Sequence, residues 1–279
     1  MSEVFRCMGR DIPLGNEMTL MGIINVTPDS FSDGGFFFDH SAAIAHGMRL
    51  VQEGAAMLDV GGESTRPGAD PVSVEDELKR VLPVIKELAA NGARISIDTS
   101  KAKVAEAAIE AGASIINDVT ALRGDPSMAK IAAESGAGLV LMHMLGEPRT
   151  MQTDPRYDDV VTDVLDFLRE RAAFAEEAGV SEASICIDPG IGFGKTKGHN
   201  LRLIASATRF IDTGYPVLYG PSRKNFIGLT LDAPVDERLE GTAAVVAWLA
   251  AKGVHLVRVH DVRSMLRVAR MTEAIRGND

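Results

Sequence analysis

Eight short apolar stretches of this 279-residue sequence end in side chains able to do chemistry: Asn25, Asp59, Asp98, Asn117 with Asp118, His143, Asp188, Ser222 with Arg223 and Lys224, and Arg258 with His260. Asp98, Asn117 and Asp188 offer carboxylate acceptors and one amide. A carboxylate accepts two parallel N–H bonds from a planar guanidine-like edge especially well, and a 2-amino-4-oxo heterocycle presents that edge. "GPSRK" (220–224) and "RVHD" (258–261) supply the opposite sign through Arg223, Lys224, Arg258 and His260. Cations gathered in two late motifs of a chain of net charge −10 point to an anionic ligand. Any single Asp or Asn after a strand can simply cap the following turn or helix. Eight stretches ending alike are better explained by a shared site.

Other chemistries find less support. The polar set lacks the His, Cys and carboxylate spacing of a zinc or iron centre, and no G-x-S-x-G elbow is present. "DPGIGFGKTKG" (188–198) has Pro189 where a phosphate-binding loop ending at Lys195 and Thr196 needs Gly. Its glycines instead suggest close approach of backbone to a flat ligand, with Phe193 stacking on it or covering it. His143 suits a site wall or a hydrogen-bonded core position equally well, and Met142 and Met144 read as packing residues that could floor a pocket.

The elements that must position these groups are legible. "TLMGII", "AMLDV", "RISID", "SIIND", "GLVLM", "SICID", "PVLYG" and "HLVRV" alternate with helical stretches near 40–54, 74–90, 101–112, 126–135, 157–178, 198–210, 235–252 and 262–275. Runs apolar on both faces are the mark of buried parallel strands. Eight βα units predict an α/β fold, a (β/α)8 TIM barrel forming one domain over 1–279, with an open doubly wound sheet as the alternative. Residues 1–15 are expected to cap the barrel floor. In such a barrel all strand ends meet at one rim, where chemistry and phosphate binding reside. "NVTPDSFSDGG" (25–35) then reads as a strand-end Asn25 followed by a Gly-hinged flap carrying Phe31 and Asp33.

Bulk composition narrows the partners. Apolar residues at 46% and charged residues at 24% fit a globular chain with a large core. The acidic balance disfavours nucleic acid and anionic membrane surfaces. The sequence shows no secretory leader pattern and no long apolar span, so a soluble cytoplasmic protein is expected, with Cys7 and Cys186 as free thiols.

Taken together, "MGIINVTPDSFSDGG", "DVGGESTRPGA", "SIDTSK", "IINDV", "LMHMLGEPRTMQ", "IDPGIGFGKT", "GPSRKNFIG" and "RVHDV" resemble the dihydropteroate synthase family, in order, over residues 21–262. The resemblance implies joining of 6-hydroxymethyl-7,8-dihydropterin pyrophosphate to p-aminobenzoate, with Mg²⁺ as cofactor and a homodimer through the later helices. By that likeness Asp98, Asn117, Asp188 and Lys224 match pterin-binding positions. Asn25, Arg258 and His260 match pyrophosphate contacts, Asn25 also matches the Mg²⁺ contact, and Asp98, Lys224, Arg258 and His260 carry the catalysis. Phe31, Asp33, Thr65, Arg66, Pro67, Phe193 and Asn225 match the p-aminobenzoate side and its mobile loops. Asn225 departs from the Ser common in bacterial relatives, and an Asn can still donate to a carboxylate. Two alternatives share part of the pattern: a pterin-binding methyltransferase barrel serving a corrinoid partner, and a non-catalytic pterin carrier.

Overall fold

Short, β-branched-rich runs that are apolar on both faces cannot form amphipathic helices, and each of the eight becomes a parallel strand. The computed structural model describes residues 4–15, 17–27, 36–64, 70–147 and 149–278, with backbone alone for 36–39. A hairpin of β1 (Val4–Phe5) and β2 (Ile12–Pro13) comes first. Eight parallel strands follow: β3 (Thr19–Asn25), β4 (Met57–Gly61), β5 (Ile95–Asp98), β6 (Ile115–Asp118), β7 (Gly138–Met142), β8 (Ile185–Asp188), β9 (Leu218–Tyr219) and β10 (Leu256–Val259). Their order is β8-β7-β6-β5-β4-β3-β10-β9. The ring closes through one bridge, Ile187 to Val217, beside the Ile187 N–H donating to Pro216 O at 2.9 Å. The open-sheet alternative is thereby set aside; this is a TIM barrel.

The covering helices are α1 (Phe36–Gln52), α2 (Val74–Ala90), α3 (Ala102–Glu110), α4 (Met128–Ser135), α5 (Val160–Glu177), α6 (Lys197–Ala205), α7 (Ala207–Ile211), α8 (Asn225–Leu231), α9 (Leu239–Ala251) and α10 (Val262–Arg276). Their starts and stops follow local chemistry. Ser73 caps α2 by accepting from Asp76 N–H, and Glu75, Asp76 and Glu77 complement the positive end of its dipole. Gly136 ends α4 at φ +67°, whereas Pro126, expected just inside that helix, lies in the turn before Met128. Beyond the expected set are the β1–β2 hairpin, the division of the helix expected at 198–210 into α6 and α7, and α8, short and mostly apolar, which follows Lys224 directly.

The first residues do cap the floor. Phe5, Cys7 and Ile12 are buried against Met21, Met57, Ile115, Val140, Cys186, Leu218 and Leu256, the bottom layer of the barrel. Both cysteines are free and buried. Among the described residues no helix is long and apolar enough to cross a membrane. Because Phe5 is fully buried at this plug, Phe5→Ala is expected to cost about 3 kcal/mol through lost transfer energy and a residual cavity. A fall in the urea midpoint with an unchanged slope would register it.

Candidate active site

Strand register places the first polar groups side by side. Asn25 pairs with Gly61, Gly61 with Asp98, and Asp98 with Asn117, so one rung across β3, β4, β5 and β6 presents an amide, a gap, a carboxyl and a second amide at the C-terminal end. Asp188 ends β8 opposite Met142 of β7.

Arg258 ties this rung across the barrel. Its Nε donates to Asp59 Oδ2 at 2.6 Å and its Nη2 to Asp98 Oδ2 at 3.0 Å, while Asn117 Nδ2 donates to the same Asp59 oxygen at 3.0 Å. Asp59 is fully buried, and among the described residues its Oδ1 has no hydrogen-bond partner. Burial first, and the neighbouring Asp59 second, push Asp98 up to about 7 against the pull of Arg258.

Asp188 and Lys224 form the other half. Asp188 Oδ1 accepts from Gly190 N–H at 2.7 Å, and burial raises the carboxyl to about 6 despite that bond and the charges of Lys224, Lys195 and Arg258. Lys224, half-buried, acts electrostatically on both Asp98 and Asp188, and its Nζ lies 4.1 Å from the centroid of Phe193. Phe193 packs on a small rim cluster of Val119, Met142, Met144 and Met151. A flat ligand therefore meets hydrogen-bond acceptors along its edge and an apolar wall beside them.

The expected cations sort differently. Arg223, at φ +56°, turns outward into a two-bond fork with Asp261, Nε at 3.0 Å and Nη2 at 2.7 Å, so it braces the last two loops instead of joining the mouth. Burial, then Arg258, lowers His260 to about 3, so it is an uncharged group in the free protein. Ser222 Oγ accepts the His260 backbone N–H at 3.2 Å and lies 2.9 Å from its Nδ1.

Residues 21–260 match the family described as pterin binding enzyme. The dihydropteroate synthase of Bacillus subtilis (strain 168) is 48% identical over 261 residues, covering 93% of this chain and 89% of that protein. That of Escherichia coli (strain K12) is 45% identical over 256 residues, covering 91% and 90%. The Xanthomonas albilineans dihydropteroate synthase with 4-aminobenzoic acid superposes with a TM-score of 0.92 at 46% identity, covering 99% of both chains. The same enzyme in complex with 7,8-dihydropteroate gives 0.88 at 44% identity, covering 97% of this chain and 98% of that one. The chain belongs to the dihydropteroate synthase family.

As a dihydropteroate synthase family member it is a transferase, and most of its anticipated site residues converge. Asn25, Asp98, Asn117, Asp188, Phe193, Lys224, Arg258 and His260 all lie at or beside the C-terminal strand ends. Asn225 opens α8 and is exposed. Phe31, Asp33, Thr65, Arg66 and Pro67 lie outside the described residues. Asp59 belongs to the set although the sequence shows it only as one rim acid among several; its signal is its place in the strand-end series. Asp118, its counterpart in that series, turns away and accepts from Thr120 N–H at 2.8 Å and Leu122 N–H at 2.7 Å, shaping a loop.

Arg258→Met would leave Asp59 and Asp98 buried without their cation, at a cost of about 3 kcal/mol. Burying a charged Asp98 costs nothing below its unfolded pKa and most above its raised native value of about 7. The variant's deficit, read by urea denaturation, should therefore be larger at pH 8 than at pH 5.

Proposed function

We propose that the chain condenses 6-hydroxymethyl-7,8-dihydropterin pyrophosphate with p-aminobenzoate, giving 7,8-dihydropteroate and pyrophosphate. The observation carrying this reading is one mouth that holds the acceptors Asp98, Asn117 and Asp188 beside the cations Lys224 and Arg258. The pterin ring lies on the acceptor set, its amino and ring N–H groups donating to the carboxyl oxygens. The C–O bond breaks first, and its electron pair departs with pyrophosphate. The methylene cation is delocalised into the dihydropterin and favoured by the nearby carboxylates. The arylamine nitrogen, neutral at pH 7, then forms the C–N bond and releases a proton, so no strong base is needed.

Arg258 and His260 face the leaving group. Arg258 places Nε and Nη2 on Asp59 and Asp98, which leaves Nη1 for a phosphate oxygen, and neutral His260 offers its ring beside it. Among the described residues no cluster of three or more His, Cys, Asp or Glu side chains could hold a metal. Asn25 would be the protein contact of a Mg²⁺ ion, which takes one or few protein oxygens when substrate phosphates are present. When bound, it neutralises charge building on the departing pyrophosphate.

The corrinoid-linked methyltransferase alternative is not favoured, because relatives at 48% and 45% identity are synthases. A homodimer through α8, α9 and α10 belongs to the same reading and is supported by exposed Leu229, Leu231, Trp248, Met271 and Ile275 on those helices. A cytoplasmic setting is supported by two thiols that remain unpaired.

Incubating the protein with both substrates, with and without Mg²⁺, and assaying pteroate tests the reaction; pterin pyrophosphate bound without product would instead identify a carrier. Asp98→Asn should lower kcat/KM about 100-fold, close to the 3 kcal/mol scale of a lost transition-state contact. Because Asp98 titrates near 7, kcat/KM for the pterin substrate should fall as pH drops from 8 to 6, and Asp98→Asn should flatten that fall.

A further inference from the structure

The mechanism makes no use of Lys195, although this amine is 3% exposed and makes no ion pair among the described residues. Taking an ammonium out of water costs several kcal/mol that an apolar Met would avoid, so its bonds must serve a purpose. Nζ lies 2.9 Å from His143 Nδ1, 3.3 Å from His143 O and 3.0 Å from Phe193 O, three acceptors for three protons. With Lys195 as an ammonium, His143 offers a lone pair at Nδ1, and burial keeps its imidazole neutral. Burial also lowers Lys195, to about 7, against the upward pull of Asp188.

The three acceptors belong to two different loops. His143 follows β7, and Phe193 follows β8. The second loop is pressed onto the first, since a Cβ at Gly190 (φ +68°) would stand 1.9 Å from His143 O and one at Gly194 (φ +63°) 2.7 Å from Leu145 O. Consecutive carbonyls of this loop each take a side-chain donor: Gly192 O from Gln152 Nε2 at 2.5 Å, Phe193 O from Lys195, and Gly194 O from Tyr157 Oη at 2.7 Å. Of these three donors, Lys195 is the buried one and the one that grips Phe193. Gly190 and Gly194 of "GIGFG" thus serve close approach to the protein's own backbone, whereas a Cβ at Gly192 would stand 3.1 Å from the Lys224 side chain.

We propose that Lys195 is a positioning residue for the second substrate, fixing the Phe193 backbone to the exit of β7 so that the Phe193 ring stands as the arylamine's wall beside Lys224. This rests on the dihydropteroate synthase reading of the site. Lys195 need not touch either substrate.

Steady-state kinetics of the full chain, Lys195→Met, Phe193→Ala and the double variant test it, with circular dichroism melts confirming that each is folded. Lys195→Met should raise KM for p-aminobenzoate about tenfold while KM for the pterin pyrophosphate stays within about twofold. Phe193→Ala should show the same split, and the double variant should be no worse than Phe193→Ala alone, because both changes remove one effect. If Lys195→Met does not fold, Lys195→Gln, which keeps an N–H donor, should show the same split at smaller size. Unmoved p-aminobenzoate KM, equal loss for both substrates, or additive losses in the double variant would each overturn the proposal. Wild-type protein that makes no pteroate overturns the functional reading and the proposal with it; normal wild-type turnover with an unmoved variant KM overturns the proposal alone.

Discussion

Keeping several carboxyl groups out of water within one barrel mouth is the constraint on which this structure turns. Asp59, Asp98 and Asp188 are tolerable there because Arg258 and Lys224 are interleaved with them. The arrangement stays under electrostatic tension, visible in the upward displacement of Asp98 and Asp188. A ligand bringing N–H donors to those carboxyls and an anion to those cations relieves it on both sides. Recognition and catalysis draw on the same imbalance, since a group that favours an electron-poor ring in the ground state favours a methylene cation more.

The barrel makes this affordable through register. Residues far apart in sequence, such as Asn25 and Asn117, become rung neighbours because each intervening strand is four to seven residues long and ends at the same height. A sealed floor of Phe5, Cys7 and Ile12 leaves the polar chemistry to the other end. The cluster around Met142, Met144 and Phe193 adds a dry wall that sharpens every nearby charge interaction.

Much of this was legible in the chain, for identifiable reasons. Buried parallel strands must be continuously apolar, so the polar residue that ends each one stands out, and Asp98, Asn117, Asp188 and Arg258 were found that way. What stayed hidden depends on side-chain direction or burial. Asp59 and Asp118 look alike as strand-end acids, yet one anchors Arg258 and the other shapes a loop. Arg223 and Lys224 are adjacent, yet a left-handed backbone at Arg223 sends its guanidinium outward to Asp261. The neutrality of His260 follows from desolvation, and the depth of Lys195 from the packing of two loops, neither of which spacing encodes. The short helix α8 is hidden in the sequence because "NFIGLTL" lacks the polar face that betrays a surface helix.

The barrel's closure has a consequence for motion. β9 contributes two residues, and β8 meets its chain through one isolated bridge, whereas the β3–β4 pairing runs through five register pairs. This seam is where local breathing should begin and amide exchange run fastest, since opening free energy follows the number of cooperating contacts. Asp188 stands on one side of it and Lys224 on the other. A molecule gripped by both would rivet the weak joint, making occupancy of the mouth felt as stiffness around the whole ring.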